Sequence, residues 1–346
     1  MRRFAAIYFL ILFSLSAIAQ RGGERVYSFL ELTNAARVTA LGGKNVSLAD
    51  DDINLVFHNP ALLSSGMDRN MNLNYVNYYA GVNYGYASYA LEKAGLGTFS
   101  GGIHYVNYGT FERTDEYGNV GGSFRASEYA LNLVFARPVI DSVLTVGINV
   151  KPLFSLYEQY SSLGIVADLG LLYTNYSSNT TVGLVLKNAG TQITSYSGLR
   201  EKVPFEIQAG ISQGLAHAPF RFNVQLQHLE KWDLTYEKED QQDLLFSSGD
   251  APDNRFDQLA DQFMRHVIVG VELLLGDNFH VDLGYNYKRR QEMKMNSFPG
   301  MVGFSWGFGF RIARFHVAYG RARYHLAGGT NHFSLTTDLS QFYRNR

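Results

Sequence analysis

The 346-residue sequence predicts an all-β fold, a 14-stranded antiparallel transmembrane β-barrel with an N-terminal plug, or hatch, in its lumen. Three observations predict this fold. Apolar and polar residues alternate with a period of two in many segments. These segments are longer than the ~5–6 residues of ordinary soluble strands. Their number is even, and the links between them tend to alternate between short and long, as in bacterial single-chain barrels.

The alternation is clearest between residues 302 and 312, where an apolar residue stands at every second position. Successive side chains of a strand point to opposite faces, so this segment separates an apolar face from a polar one. A helix would instead bring apolar residues together at intervals of three and four. A soluble β-sandwich also alternates and is the alternative. Segment length, and aromatic residues near segment ends such as Tyr78 and Tyr79, favour the membrane-spanning form.

Residues 1–19 predict a cleaved signal peptide. Arg2 and Arg3 supply a positive start, an apolar stretch follows, and the small residues Ala17 and Ala19 fit a cleavage site. A membrane-anchoring helix is the alternative, but the apolar stretch is short for a span of ~20 residues. We therefore expect export to the outer membrane, where the protein meets outer-membrane lipid.

Fourteen strands are predicted between residues 71 and 346, the barrel domain. Links from even to odd strands are predicted to be short and links from odd to even strands longer, which orients the barrel. Two links that should be long are short: the first hairpin, near Gly81, and the link around Gln159. The predicted strands are 71–80, 82–91, 97–112, 122–136, 142–156, 162–174, 179–188, 203–213, 219–230, 264–275, 278–288, 301–312, 314–323 and 331–339.

Composition argues against several classes of function. The chain has no cysteine, which excludes disulfides, thiolate metal sites and a lipid anchor on cysteine. The net charge of −1 disfavours a general binder of polyanions. The nine histidines contain no H-x-x-x-H pair, so no metal site is predicted. Residues 303–307 match the G-x-S-x-G pattern of hydrolases, but the alternation continues through them without a following helix. We expect no enzyme activity and no cofactor.

The N-terminal region, residues 20–70, does not alternate and is predicted to form the plug. Pro60 marks a turn, and Leu62 and Leu63 follow it as the start of a short helical turn. The acidic residues 50–52 lack the spacing of a calcium loop, so a helix cap or an arginine partner is expected. A 14-stranded barrel is wider than one that side chains alone can fill. Its lumen would have room for the plug and for a bound lipid or detergent molecule.

Five stretches of this region resemble the N-terminus of the PorQ family of the type IX secretion system: 29–32, 35–37, 40–43, 50–52 and 59–63. The Asn-Pro-Ala element at residues 59–61 also looks like the hatch of FadL-type fatty-acid transporters and their PorV relatives. The barrel shares only size and strand number with these proteins. The resemblance implies a plug motif formed by Leu41, Gly42, Gly43, Asn59, Pro60 and Ala61.

What the resemblance implies is a non-enzymatic component of the type IX attachment complex. In that complex the barrel would anchor a PorZ-like surface protein beside PorU and PorV, so that cargo is processed and attached to anionic lipopolysaccharide. The alternative is a FadL-like outer-membrane transporter of hydrophobic small molecules, in which the hatch moves to open a lateral path. A general porin is the third hypothesis, and it would need an open lumen.

The longest predicted link, residues 231–263, carries a polar and acidic stretch followed by a short amphipathic helix. The helix is expected because apolar residues at 256, 259, 260 and 263 follow helical spacing. The link is either a mobile surface loop or a docking platform for a partner protein. The residues predicted for docking are Glu237, Asp240, Phe256, Leu259 and Phe263.

Overall fold

The computed structural model describes residues 25–140, 143–235, 255–276, 278–293, 301–325 and 328–343. Fourteen antiparallel strands form one closed barrel, in which each strand pairs with its neighbours in sequence and β1 pairs with β14. The predicted 14-stranded antiparallel barrel is therefore confirmed. The strands are β1 (Asn70–Asn77), β2 (Asn83–Lys93), β3 (Gly97–Thr114), β4 (Val120–Ile140), β5 (Leu144–Tyr157), β6 (Tyr160–Asn175), β7 (Thr180–Thr194), β8 (Glu206–Gly214), β9 (Phe220–Leu226), β10 (Val267–Leu274), β11 (Phe279–Asn286), β12 (Phe304–Ile312), β13 (Phe315–His325) and β14 (Gly328–Asp338).

Within the described ranges, four α-helices accompany the barrel: α1 (Ala36–Ala40), α2 (Arg255–His266), α3 (Tyr287–Met293) and α4 (Ser340–Tyr343). In the part of the chain that the structure describes, none of them is both long and apolar enough to cross a membrane. Helix α2 stands between β9 and β10, where the sequence predicted an amphipathic helix, and it continues three residues beyond the predicted end.

Several predicted strand ends are wrong, mostly at the end of the barrel where the longer links lie. The ninth strand ends at Leu226 rather than at residue 230, and the tenth begins only at Val267 because α2 runs to His266. The eleventh strand ends at Asn286, because Tyr287 already begins α3. Alternation over a few residues does not fix where a strand ends, since contacts between loops decide whether the next residue stays in the ladder.

The two faces of the barrel differ in chemistry. On β1, Leu73 and Tyr75 are exposed on the outer face, whereas Asn72 and Asn74 are buried on the inner face. On β12, Trp306 is exposed and Ser305 is buried. Apolar residues outside and polar residues inside are the distribution of a β-barrel that spans a membrane.

Exposed aromatic side chains mark both ends of the outer face. The end at which every link has two to five residues, namely the links from even to odd strands, is called the short-turn end, and the opposite end the long-loop end. Aromatic rings at these levels are typical of the two membrane interfaces. Those at the short-turn end are Phe99, Tyr173, Phe220, Phe279 and Phe315, and those at the long-loop end include Tyr75, Tyr105, Tyr160, Phe205 and Phe304.

Residues 25–69, called the N-terminal segment, lie against the inner wall of the barrel. Helix α1 contacts β11, β12, β13 and β14, while the 3₁₀ turn Pro60–Leu62 contacts β4, β5 and β6 on the other side of the ring. The segment therefore crosses the lumen. Its apolar residues meet the few apolar residues that point inward, among them Val106, Val134, Leu153 and Leu172.

Candidate functional site

The candidate functional site is the lumen, where inward-facing glycines let the backbone of the N-terminal segment approach the wall. A Cβ atom added at Gly284 would lie 2.3 Å from the Gly42 nitrogen. A Cβ atom at Gly147 would lie 2.3 Å from the carbonyl carbon of Pro60. Side chains larger than hydrogen at these positions would displace the segment. Similar close approaches occur at Gly183, Gly307 and Gly320.

Leu41, Gly42 and Gly43 of the predicted motif end helix α1. The Gly42 amide donates to Thr39 O at 3.1 Å, and the Gly43 amide donates to Val38 O at 2.9 Å. Both glycines have positive φ angles, 105° and 101°, which only glycine adopts readily. The chain therefore turns sharply after α1, with Leu41 buried beside Gly270.

Asn59, Pro60 and Ala61 form a capped turn that is tied to the wall. The Asn59 Oδ1 atom accepts from the Ala61 amide at 3.0 Å, and proline occupies the first position of the 3₁₀ turn. The Asn59 Nδ2 atom donates to Val46 O at 2.7 Å and to Leu171 O of β6 at 3.3 Å. The same asparagine thus caps its own turn and holds it against the barrel.

Arg37 of α1 joins the segment to the wall through buried ionic contacts. Its Nε and Nη2 atoms donate to Oε1 of Glu272 on β10 at 2.8 and 2.7 Å, and both side chains are buried. Its Nη2 atom also donates to Asp50 Oδ2 at 2.6 Å, and Arg221 of β9 donates to the same oxygen at 2.9 Å. Burial alone would raise the pKa of Asp50, but Arg37 and Arg221 outweigh it and hold this pKa well below its usual range.

The other acidic residues of the run 50–52 act locally. Asp52 Oδ1 accepts from the Asn54 amide at 3.0 Å and so caps the 3₁₀ turn Ile53–Leu55. Asp51 accepts a short hydrogen bond from Ser64. The prediction of a cap or an arginine partner for this run is therefore confirmed: Asp52 is the cap, and both Asp50 and Asp52 pair with Arg37.

Lysine side chains make further polar and ionic contacts in the lumen, which the sequence did not predict. Lys187 of β7 donates to Phe57 O at 2.9 Å, with its ammonium 4.9 Å from the centre of the Phe57 ring. Lys151 of β5 pairs with Asp168 of β6 at 2.7 Å. Lys44 of the segment pairs with Glu206 of β8. The inward position of Lys151 could have been predicted from the sequence, because it stands at a polar position in a segment that alternates strictly.

Three cavities open beside the N-terminal segment. The leucine-lined cavity, about 740 Å³, lies at the short-turn end. Its lining combines apolar residues with charged ones: Leu62, Leu63, Leu96 and Leu172 on the one hand, and Asp50, Asp51, Glu92, Lys93 and Arg137 on the other. A second cavity at this end, about 690 Å³, is lined by charged residues such as Arg37, Asp50, Arg311 and Arg314. The third, about 410 Å³, opens at the long-loop end beside Lys44, His228, Glu230 and Lys288. Of the three, the first offers an apolar molecule the most extensive apolar surface.

Of the five predicted docking residues, the structure describes the side chains of two, and these two lie apart from the lumen. Glu237 and Asp240 lie outside the described residues. Phe256 falls in α2, and its side chain is also outside the described part. Leu259 and Phe263 are exposed on α2 at the long-loop end.

Two further features of the sequence have local roles in the lumen. Ser305, at the centre of the G-x-S-x-G match, donates to Ala40 O at 2.9 Å from the inner face of β12. Among the described residues, Glu31, Glu206 and His228 bring three ligand atoms within 4.8 Å of one another. The Lys44 ammonium already pairs with Glu206 there. A divalent cation would have to compete with this ammonium for the carboxylate.

No protein-family model matches the chain, and no curated protein matches it in sequence. Solved structures do match it along most of its length. The toluene transporter TbuX of Ralstonia pickettii is 14% identical with a TM-score of 0.51, over 90% of this chain and 98% of that chain. The toluene transporter TodX of P. putida is 13% identical with a TM-score of 0.51, over 89% and 99%. A FadL homologue of Pseudomonas aeruginosa is 12% identical with a TM-score of 0.50, over 92% and 100%. The chain therefore has the fold of FadL-type outer-membrane barrels.

Proposed function

We propose that the protein is an outer-membrane transporter of hydrophobic small molecules, in a conformation that its N-terminal segment closes. The observation that carries the proposal is the leucine-lined cavity, which is lined by Leu62 and Leu63 of the segment and by Leu96 of the turn between β2 and β3. Its volume and partly apolar lining suit a small apolar ligand. TbuX and TodX, whose fold the chain shares, are toluene transporters, which supports the proposal by analogy of fold.

Transport in this proposal requires the N-terminal segment to move. The segment crosses the lumen from β11–β14 to β4–β6, and buried pairs such as Arg37 with Glu272 hold it. A hydrophobic molecule at the long-loop end would reach the cavity only after these contacts loosen or a lateral path opens.

Residues 1–19 stay a predicted signal peptide, since they lie outside the described residues.

The test is uptake of a labelled fatty acid and of labelled toluene by liposomes that contain the purified barrel. We expect uptake above that of protein-free liposomes. The variant Leu96→Glu should reduce it, because a carboxylate in the cavity makes the passage of an apolar molecule costly. The matched control is Leu215→Glu on the turn between β8 and β9 at the same end. Uptake equal to that of empty liposomes would contradict the proposal.

A second candidate is the anchoring role in a type IX attachment complex, which the resemblance at residues 29–63 implies. The observation that favours it is that buried ionic contacts, such as Arg37 with Glu272, hold the segment in place. A scaffold, unlike a transporter, does not require the segment to move. A pull-down from outer-membrane extract would then contain a PorZ-like protein, as identified by mass spectrometry. Deleting residues 237–253 should remove that protein from the pull-down and leave the barrel folded. Its absence from the intact barrel's pull-down would contradict this candidate.

A general porin is disfavoured because the N-terminal segment crosses the lumen. An open pore would give steady ionic currents in planar bilayers. We expect the wild-type barrel to give no such current, and large single-channel steps would favour a porin instead.

A further inference from the structure

Helix α2 presents its apolar face away from the rest of the protein. Leu259 and Phe263 lie one helical turn apart, and each is 48% exposed. Met264 beside them is also exposed. In a helix that packs on a soluble protein, these side chains would point to the core and the polar ones to water.

The polar side of α2 contacts α3 and the link that follows β9. Asp261 Oδ1 accepts from the Tyr287 hydroxyl at 2.7 Å, and Gln262 Oε1 accepts from Trp232 Nε1 at 3.2 Å. The His266 ring lies 2.7 Å from Gln227 O and 3.0 Å from Trp232 O. These hydrogen bonds fix the rotation of the helix about its axis. Leu259 and Phe263 are therefore held in exposed positions.

The C-terminal end of α2 adjoins the apolar outer face of the barrel. Helix α2 leads directly into β10, whose first residue, Val267, pairs with Leu226 on β9. Beside them the Leu229 amide donates to Ile207 O of β8 at 3.0 Å, and the Leu229 side chain is exposed. Phe205, one of the aromatic residues at the long-loop end, stands just before β8. Helix α2 therefore meets the wall at the level of the membrane interface.

We propose that α2 is an interfacial helix that inserts Leu259 and Phe263 into the outer leaflet of the membrane. Interfacial helices combine a strongly polar face with an apolar face that sinks to the boundary of headgroups and acyl chains. Trp232, 56% exposed and hydrogen-bonded to α2, is the kind of residue that membrane interfaces favour.

Lipid is favoured over a protein partner as the occupant of this face because α2 ends at His266, where the lipid-facing strand β10 begins. A docking surface for a protein would stand in water in the free barrel, where a contiguous apolar patch is unfavourable. The inference depends on insertion of the barrel into a membrane and on neither of the functions proposed above.

The test uses spin labels in phosphatidylcholine vesicles, since the chain has no cysteine of its own. Labels on Leu259→Cys and Phe263→Cys are compared for collisions with oxygen, which partitions into lipid, and with a water-soluble nickel complex. Leu133→Cys on the outer face of β4 is the lipid control, and Tyr117→Cys, at an 83% exposed position between β3 and β4, is the water control. Folding of each variant is checked by the change in electrophoretic mobility between unheated and boiled samples.

We expect both α2 labels to behave like the Leu133 label, with an oxygen-to-nickel ratio several-fold above that at Tyr117. Labels that behave like the one at Tyr117 would overturn the proposal and leave the face to a protein partner. Labels shielded from both reagents would also overturn it, because they would indicate contact with a second copy of the chain.

Trp232 supplies an independent measurement, because the chain has only two tryptophans. In the variant Trp306→Phe, the remaining fluorescence comes from Trp232. We expect lipids that carry a nitroxide on the headgroup to quench it more than lipids labelled deep in the acyl chain. Quenching by aqueous acrylamide that is unchanged by insertion into vesicles would contradict the interfacial position.

Discussion

At the scale of single residues, Arg37 joins the N-terminal segment to the barrel wall through a buried ion pair with Glu272. Replacing it by alanine would leave Glu272 buried without its closest cationic partner, with the nearest Arg221 nitrogen 3.6 Å away. We expect Arg37→Ala to lower the free energy of unfolding by about 3–5 kcal/mol, as when one partner of a buried pair is removed. The measurement is urea unfolding of the barrel in vesicles.

The matched control for that prediction is Arg25→Ala. Arg25 pairs with Glu31 at 3.5 Å, and both side chains are about one-third exposed. Because exposed pairs contribute only about 0–1 kcal/mol, this variant should unfold nearly as the wild type does. Equal losses in the two variants would contradict the assignment of the buried pair.

His58 gives the segment a dependence on pH. Burial, with the Lys187 and Lys44 ammonium groups, lowers the pKa of His58 well below its usual value of 6.5. Between the two values the unfolded chain binds a proton that the folded chain does not. Stability should therefore fall as pH decreases through 6.5 towards the folded pKa. We expect the loss between pH 8 and pH 5 to be smaller in His58→Gln, in unfolding measured at both pH values; identical losses would argue against this role.

At the scale of elements, the fit between segment and wall depends on glycines of the strands. Gly284→Leu should displace the segment while β11 stays in the barrel, because the added Cβ would lie 2.3 Å from the Gly42 nitrogen. We expect the variant to show faster proteolysis of residues 25–69 and new ionic currents in planar bilayers.

Gly101→Leu is the control for this prediction. It makes the same change on the outer face of β3, where a Cβ would meet no atom within 4 Å. It should leave proteolysis and currents at wild-type levels. Currents that stay absent in Gly284→Leu, with proteolysis unchanged, would mean that the wall accommodates the larger residue.

The strands were predictable from sequence because alternation is a local property. An antiparallel sheet with an even number of strands can close on itself, and closure pairs its two edge strands. The strand ends near α2 and α3 were not predictable. They depend on Tyr287 and Asp261, which meet across two different loops. The sequence likewise predicted that α2 is amphipathic. The direction of its apolar face depends on Trp232 and Gln227, and spacing within the helix carries no information on that.

At the scale of the whole molecule, the sequence predicted the fold better than it predicted the site. The capped turn at Asn59 was predictable because its parts are neighbours in sequence. The pairing of Arg37 with Glu272 joins residues 235 positions apart, and no local pattern predicts such a partner. Function is harder still, since barrels of one architecture serve different functions. The likeness to toluene transporters supports the transport proposal, while the type IX role rests on the resemblance of residues 29–63.

The most direct test of the account locks the N-terminal segment to the wall. The Ser47 and Ser212 hydroxyl oxygens lie 2.8 Å apart, and the chain has no cysteine, so Ser47→Cys with Ser212→Cys introduces a single crosslink between segment and β8. The measurement is uptake of labelled fatty acid by liposomes before and after reduction of that crosslink. We predict uptake only after reduction, at the wild-type level. Equal uptake in the crosslinked and reduced barrels would contradict the claim that the segment must move for transport.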